Sequence, residues 1–178
     1  MQYLRKKSKA KIIKKSKDIK IVLTDVDGVL TDGSRYYSEK GEVIKKFHVR
    51  DGMGVNLLLR NRIKTVIITK ESSLIVKKWS KEMNISKLLM RIKNKESELP
   101  KICKLYKIRK NEIAYIGDDV NDMDLLAKVG FSACPQDSID KVKKTVDYVC
   151  GLDGGKGAFR EIADLILSIK FPNKKKWY

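Results

Sequence analysis

Several features that define other protein classes are scarce in this chain of 178 residues. Its three cysteines form no CxxC pair, so we expect reduced core thiols in a cytosolic protein rather than a disulfide framework. No apolar run approaches the roughly 20 residues of a membrane span. The charged N-terminal stretch has no apolar segment after it, which argues against a secretory signal. We therefore predict a cytoplasmic protein without a membrane partner.

Acidic residues are outnumbered, and the net charge is +18. Residues 1–20 hold nine Lys and Arg and one acid, a net of +8. Nucleic-acid binding is one interpretation. Basic solvated tails are the interpretation we favour, because the basic runs lack interleaved aromatic residues and no recognition motif accompanies them. A third interpretation is a positive field that steers polyanionic substrates to a site.

Apolar runs that alternate with helical periodicity predict an α/β fold. Such alternation is typical of a Rossmann-like three-layer sandwich, with a mostly parallel sheet covered on both faces. A hairpin over residues 34–47 follows the first strand as a flap, and no room remains for a cap domain. We predict a basic extension outside the core (1–17), a single domain (18–170) and a basic tail (171–178). The predicted strands cover about 19–25, 63–69, 113–117 and 131–134, and the main helices cover about 53–62, 72–83, 97–107, 121–129 and 157–169. Residues 48–52 are predicted as a polar connector between the hairpin and the first of these helices.

Polar side chains follow three of the predicted strands, at the edge where ligands bind in open α/β sheets. They are Asp25 and Asp27, then Thr69, then Asp118, Asp119 and Asp122. Lys95 lies on a loop between the last two groups, with Lys93 as the alternative candidate. Carboxylates without a His or Cys cluster favour Mg²⁺ over zinc. A carboxylate nucleophile beside Mg²⁺ suits an aspartyl-phosphate intermediate, with Lys95 and Thr69 holding the phosphoryl oxygens.

These motifs have a recognisable order. DVDGVLTDG (25–33), a threonine ending the second strand, Lys95 and GDDVND (117–122) resemble the four motifs of the haloacid dehalogenase superfamily. FHVRDGMG (47–54) and GGKGAFREIADLIL (154–167) are similar to the capless sugar-acid phosphatases. These act on 3-deoxy-D-manno-octulosonate 8-phosphate or on nonulosonate (sialic-acid-type) 9-phosphates. The resemblance implies a homotetramer whose hairpins assemble at the centre, so that neighbouring subunits close each site.

The resemblance also implies roles for individual residues. Asp25 corresponds to the nucleophile and Asp27 to the general acid/base that protonates the leaving oxygen and then activates water. Asp25, the backbone carbonyl of Asp27, and Asp118 correspond to the Mg²⁺ ligands. Asp119 and Asp122 correspond to supports for the metal and for the motif lysine.

The second motif departs from the octulosonate phosphatases, which usually read Thr-Gly-Arg. Here Lys70 adds a cation near the phosphate loop, and Glu71 is more like the nonulosonate phosphatases. Trp79 stands where the family often carries an arginine that contacts the sugar carboxylate. The reaction type is therefore better specified than the sugar.

Four further features have both a functional and a structural interpretation. Arg50 is a candidate anion contact or a surface ion-pair partner, and Arg160 a candidate carboxylate contact or a helix-end residue. His48 fits a structural hydrogen-bonding role, and the segment 151–157 fits either an anion cradle or a turn.

We predict a Mg²⁺-dependent phosphatase of a phosphorylated 2-keto-3-deoxy sugar acid. A broad-specificity sugar phosphatase and a non-enzymatic nucleic-acid or partner-binding protein are the alternatives.

Overall fold

The computed structural model describes residues 9–174, except the side chain of Lys9. Predictions for residues 1–8 and 175–178 lie outside the described residues. The strands in this part of the chain are β1 (Ile21–Thr24), β2 (Tyr36–Ser38), β3 (Gly41–Ile44), β4 (Lys64–Ile68), β5 (Lys87–Leu89), β6 (Ile113–Ile116), β7 (Phe131–Cys134) and β8 (Tyr148–Val149). The helices are α1 (Lys9–Ser16), α2 (Val49–Arg60), α3 (Leu74–Glu82), α4 (Leu99–Tyr106), α5 (Met123–Lys128), α6 (Asp140–Thr145) and α7 (Ala158–Lys170).

Six of these strands form one sheet in the order β5-β4-β1-β6-β7-β8. Every neighbouring pair in it is parallel. The predicted α/β architecture is confirmed, and the parallel pairing is complete rather than partial. Because all strands run the same way, their carboxyl ends lie at one edge of the sheet, with β1 near the middle.

The core lies in two layers, one on each face of the sheet. Alternate side chains of a strand point to opposite faces. In β1, Val22 belongs to the cluster packed under α2 and α7, whereas Ile21 and Leu23 belong to the cluster packed under α4 and α5. Both faces of the sheet are therefore covered by helices, which explains why its central strands are continuous apolar runs.

The hairpin formed by β2 and β3 is inserted between β1 and α2. It is antiparallel, as predicted, and a bridge between Thr31 and Phe47 closes its base. Its strands expose large apolar side chains. Residues 9–174 contain no cap domain beyond this flap. None of the helices in that range is both long and apolar enough to cross a membrane.

The start of α2 corrects the sequence-based prediction of a polar connector over residues 48–52. The helix begins at Val49, and the Nδ1 of His48 accepts a hydrogen bond from the backbone N–H of Arg50 at 3.2 Å. Glycine disfavours helix, which made a connector the expected structure. Tertiary packing overrides that preference, since a Cβ at Gly52 would lie 2.6 Å from the sulfur of Met83.

The predicted extension is also corrected where the structure describes it. Residues 9–16 form α1, whose Ile12 is buried in the core beside α7. The ammonium group of Lys15 contacts the buried carboxylate of Asp147 at 2.5 Å. The prediction that residues 1–17 lie outside the core is therefore wrong for α1, because even a largely basic helix can bury one apolar side chain against a core.

Candidate active site

The carboxyl ends of β1 and β6 bring two predicted aspartates together. The strands pair in register, with Thr24 opposite Ile116, and the backbone N–H of Asp25 donates to the carbonyl of Ile116 at 3.0 Å. Asp118 follows β6 after one glycine. The carboxylate oxygens of Asp25, Asp118 and Asp122 include one from each residue that all lie within 4.8 Å of one another. The sheet register therefore builds the acidic cluster that the motifs predict.

Asp25 is held by two donors. The backbone N–H of Val26 donates to its Oδ1 at 2.7 Å, and the ammonium group of Lys95 contacts its Oδ2 at 2.6 Å. Burial raises the pKa of Asp25 to about 7; Lys95 opposes the rise, and the neighbouring charge of Asp122 adds to it. Lys95 is buried at the cluster whereas Lys93 is exposed, so the structure selects Lys95 of the two candidates.

Asp122 uses both of its oxygens inside the protein. Its Oδ1 accepts from Lys95 at 2.6 Å and from the hydroxyl of Tyr115 at 2.5 Å. Its Oδ2 accepts from the backbone N–H groups of Asp118 at 2.9 Å and Asp119 at 3.3 Å. Four donors on one buried carboxylate fix the lysine and the loop after β6. Sequence reasoning missed Tyr115, because nothing distinguishes it from a core residue of β6.

Asp118 lies against the loop after β1. A Cβ at Gly28 would lie 2.1 Å from its Oδ2, so only glycine allows the Asp27–Gly28 backbone to approach this carboxylate. Burial, together with the charges of Asp122 and Asp25, raises the pKa of Asp118 to about 8, and Lys95 opposes the rise. Crowded carboxylates that hold their protons so strongly are suited to a cation, which would relieve the repulsion.

Asp27 faces the hairpin rather than the acidic cluster. The ammonium group of Lys45 contacts its Oδ1, and the guanidinium of Arg35 lies 3.8 Å from its Oδ2. Lys45 also contacts Glu42 at 2.8 Å, and Arg35 contacts Glu71 at 3.3 Å. Arg35 thereby links Glu71 to Asp27. Sequence reasoning missed Lys45 and Arg35, because lysine and arginine are abundant everywhere in this chain.

Thr69 follows β4 at the same edge and is buried. Its hydroxyl oxygen accepts from the backbone N–H of Glu71 at 3.3 Å, so it orders the turn that carries Lys70 and Glu71. Lys70 is exposed.

Asp119, in the loop after β6, is exposed, and its Oδ1 accepts from the backbone N–H of Val120 at 2.6 Å. Its contribution to the cluster passes through its own backbone N–H, which reaches Asp122.

The two remaining arginine candidates lie on helices. Arg50 is exposed in the first turn of α2. The Nε of Arg160 donates to Asp164 at 2.8 Å, and its backbone N–H donates to the buried Asp51 at 2.9 Å. Arg160 thus has the helix-end contacts that the structural alternative requires. The segment 151–157 packs on the loop after β1, where the backbone N–H of Gly155 donates to the carbonyl of Val29 at 3.0 Å.

Comparison with known proteins places this geometry in a family. The family model of haloacid dehalogenase-like hydrolases matches residues 3–162. The 3-deoxy-D-manno-octulosonate 8-phosphate phosphatase KdsC of Haemophilus influenzae is 40% identical over 153 residues, which cover 86% of this chain and 85% of that protein. KdsC of Escherichia coli K12 is 35% identical and is covered over 84% of its length by 89% of this chain.

Solved structures agree with the sequence matches. A 3-deoxy-D-manno-octulosonate 8-phosphate phosphatase from Moraxella catarrhalis, in complex with magnesium ion, phosphate ion and KDO, has a TM-score of 0.88 and 35% identity, with 92% of this chain and 94% of that chain covered. A structure described as a putative phosphatase of the same name from Vibrio cholerae has a TM-score of 0.90 and 34% identity, with 99% and 98% covered. The chain therefore belongs to the haloacid dehalogenase-like hydrolases.

Proposed function

We propose that this chain is a Mg²⁺-dependent phosphomonoesterase that releases phosphate from a phosphorylated 2-keto-3-deoxy sugar acid. One observation carries the proposal. A buried nucleophile candidate, Asp25, lies between Lys95 and Asp118 at the sheet edge, and a second aspartate, Asp27, follows it by two residues. Relatives named as octulosonate 8-phosphate phosphatases, matched over most of their length, support the substrate class.

The residues of the acidic cluster fit a magnesium ion. Mg²⁺ prefers carboxylate and carbonyl oxygens and is commonly held by one or two carboxylates together with substrate phosphate. We assign Asp25, Asp118 and the backbone carbonyl of Asp27 as ligands. Asp122 is assigned as a support, since its oxygens already accept four hydrogen bonds. When bound, the ion would offset negative charge on the phosphoryl group and keep both ligand carboxylates ionised.

The chemistry follows from the two aspartates. A carboxylate oxygen of Asp25 attacks phosphorus, an Asp25–phosphate bond forms, and the bond between phosphorus and the sugar oxygen breaks. Asp27 donates a proton to that leaving oxygen. Asp27 then takes a proton from water as the water attacks phosphorus, which releases inorganic phosphate and restores Asp25. Lys95 and Thr69 are assigned to the phosphoryl oxygens, where negative charge is stabilised.

We place the sugar acid beyond Asp27, on the side of the hairpin, because Asp27 is assigned to protonate the sugar oxygen and its carboxylate faces that side. Glu71 is the best placed of the substrate candidates, because Arg35 links it to Asp27. Lys70 is assigned as a candidate contact near the phosphate, and Arg50 as a candidate contact for an anionic group of the substrate. Arg160 ranks below them, since its guanidinium is paired with Asp164.

A substrate screen tests the proposal. Phosphate release with Mg²⁺ is compared for octulosonate 8-phosphate, a nonulosonate 9-phosphate and common hexose phosphates. Octulosonate 8-phosphate is expected among the best substrates, and Glu71 leads us to expect the nonulosonate to compete well. Equal activity on all sugars would support the broad-specificity alternative. No phosphate release together with a salt-sensitive nucleic-acid complex would favour the binding protein.

We also propose a homotetramer with the hairpins at its centre, in the cytoplasm. Tyr36, Tyr37, Val43 and Ile44 are all exposed on β2 and β3, and such a patch on a short two-stranded sheet favours burial against another copy. The free thiols at Cys103, Cys134 and Cys150 support a reducing compartment. Light scattering after gel filtration should give four copies for the native chain and fewer for Ile44→Glu; a monomeric native chain contradicts the assembly.

A further inference from the structure

Lys45 is the most completely buried cation of the hairpin. Its side chain is 0% exposed, and its ammonium group lies between the carboxylates of Asp27 and Glu42. An isolated buried ammonium group is strongly unfavourable, so a lysine in this position must be compensated by its partners. The family motifs identified in the sequence do not include Lys45, and the phosphoryl transfer described above does not use it.

We propose that Lys45 is a positioning residue that holds the carboxyl group of Asp27 in the orientation needed for proton transfer to the leaving oxygen. The proposal rests on the proposed phosphatase function. The carboxyl group of an aspartate rotates over a broad range unless its surroundings fix it. Asp27 lies on a loop and is partly exposed, and Lys45 is the buried one of the two cations that contact it.

A brace on the far side holds Lys45 itself. The second oxygen of Glu42 accepts a hydrogen bond from the hydroxyl of Ser73 at 2.8 Å. Ser73 is buried and caps α3, where its oxygen also accepts from the backbone N–H of Val76 at 3.4 Å. The chain of contacts from α3 through Glu42 and Lys45 to Asp27 therefore ties the general acid to the rigid part of the fold.

Burial distinguishes Lys45 from the other cation at Asp27. Its side chain is 0% exposed and its ammonium group is enclosed between two carboxylates, so it holds a fixed place against the carboxyl group of Asp27. Arg35 is less suited to this task, because its side chain is 33% exposed and lies 3.8 Å from Asp27.

Leaving groups of different quality test the proposal. A sugar alkoxide needs a proton as it leaves, whereas p-nitrophenolate leaves readily without one, so a fault in Asp27 slows the sugar phosphate more. The first step is measured in single turnover for octulosonate 8-phosphate and for p-nitrophenyl phosphate. The ratio is the rate for octulosonate 8-phosphate divided by the rate for p-nitrophenyl phosphate. Lys45→Met and Asp27→Asn should each lower this ratio at least about tenfold. Lys45→Arg, which keeps the positive charge, should restore most of the native ratio. A ratio taken within one variant does not depend on the folded fraction.

The controls separate positioning from general damage. Lys46→Met removes the neighbouring lysine, whose exposed ammonium group pairs with Asp32 and not with Asp27, and should keep the ratio within about twofold of the native value. If Lys45→Met does not fold, Lys45→Gln is used instead. As a single variant it should lower the ratio. Combined with Asp27→Asn in a double variant, it should lower the ratio no further than Asp27→Asn does. A native ratio in the lysine variants, or equal losses on both substrates, overturns the proposal. Failure of the native chain to release phosphate from either compound refutes the phosphatase function instead.

Discussion

Replacing Lys95 by methionine should damage both the stability and the activity of this protein. The side chain of Lys95 is 1% exposed and contacts Asp25 and Asp122, each at 2.6 Å. Methionine fills much of the same volume, so the main loss is the positive charge between carboxylates. Removing one partner of a buried ion pair costs about 3–5 kcal/mol, because the other charges are left unpaired in the interior.

This loss of stability can be converted into a change of melting temperature. For a domain of this size, 1 kcal/mol corresponds to about 2–4 °C, so Lys95→Met should lower the melting temperature by roughly 6–20 °C in metal-free buffer. Added Mg²⁺ should recover part of the loss, since a bound cation returns positive charge to the cluster and stabilises the folded state. Phosphate release should fall by about 100-fold or more, as expected when a group that stabilises the transition-state charge is lost.

Lys101→Met is the matched control. Lys101 also pairs with a carboxylate, that of Glu98 at 2.7 Å, but its side chain is 72% exposed. Exposed pairs of this kind contribute about 0–1 kcal/mol, so this variant should melt within about 4 °C of the native chain. Calorimetry of both variants, with and without Mg²⁺, checks the comparison. Equal melting temperatures for the two variants would refute the reasoning from burial.

Three other predictions concern the cluster and α1. Asp25→Asn should lower phosphate release by at least about 1,000-fold and abolish the acid-stable phosphoenzyme trapped during turnover, which the native chain should show. In metal-free buffer, stability should fall as pH rises from about 4 towards 8: the pKa values of Asp25 and Asp118 rise from 3.8 to about 7 and about 8 on folding, so the folded state binds more protons across that window. Melting curves against pH test this, and Asp118→Asn should flatten the slope. Ile12→Ala should destabilise the chain by about 2–4 kcal/mol in urea titrations, whereas Ile13→Ala should cost under about 0.5 kcal/mol, since the two side chains are 6% and 41% exposed; similar losses would mean that α1 does not pack on the core.

The sequence was sufficient to predict the sheet and the acidic cluster, for a physical reason. Buried parallel strands are short apolar runs, and their carboxyl ends meet at one edge, so Asp25 and Asp118 could be placed together from the sequence alone. Lys95 was harder to place, because it depends on a loop. The motif order favoured Lys95 and left Lys93 as the alternative; in the structure, Lys95 is buried beside Asp25 and Lys93 is exposed.

The contacts of the hairpin could not be predicted in the same way. Lys45 and Arg35 meet Asp27 only because the hairpin folds back over the strand edge, and no local periodicity encodes that docking. The contact of Tyr115 could not be predicted for a different reason. Its ring fits the pattern of a buried strand, and that pattern does not reveal that its hydroxyl contacts Asp122. The start of α2 was missed because Gly52 is explained by contact with α3 rather than by helix propensity.

The location of α1 bears on the large positive charge of this protein. Lys11, Lys14 and Lys15 border a cleft with Asn111 and Gly130, which precede β6 and β7 at the amino edge of the sheet. The acidic cluster lies at the opposite edge, and a strand of four residues spans about 13 Å. That separation exceeds the Debye length of about 8 Å at physiological ionic strength. These lysines are therefore screened from the site, and attraction of an anionic substrate falls to cations at the carboxyl edge, such as Arg35 and Lys70.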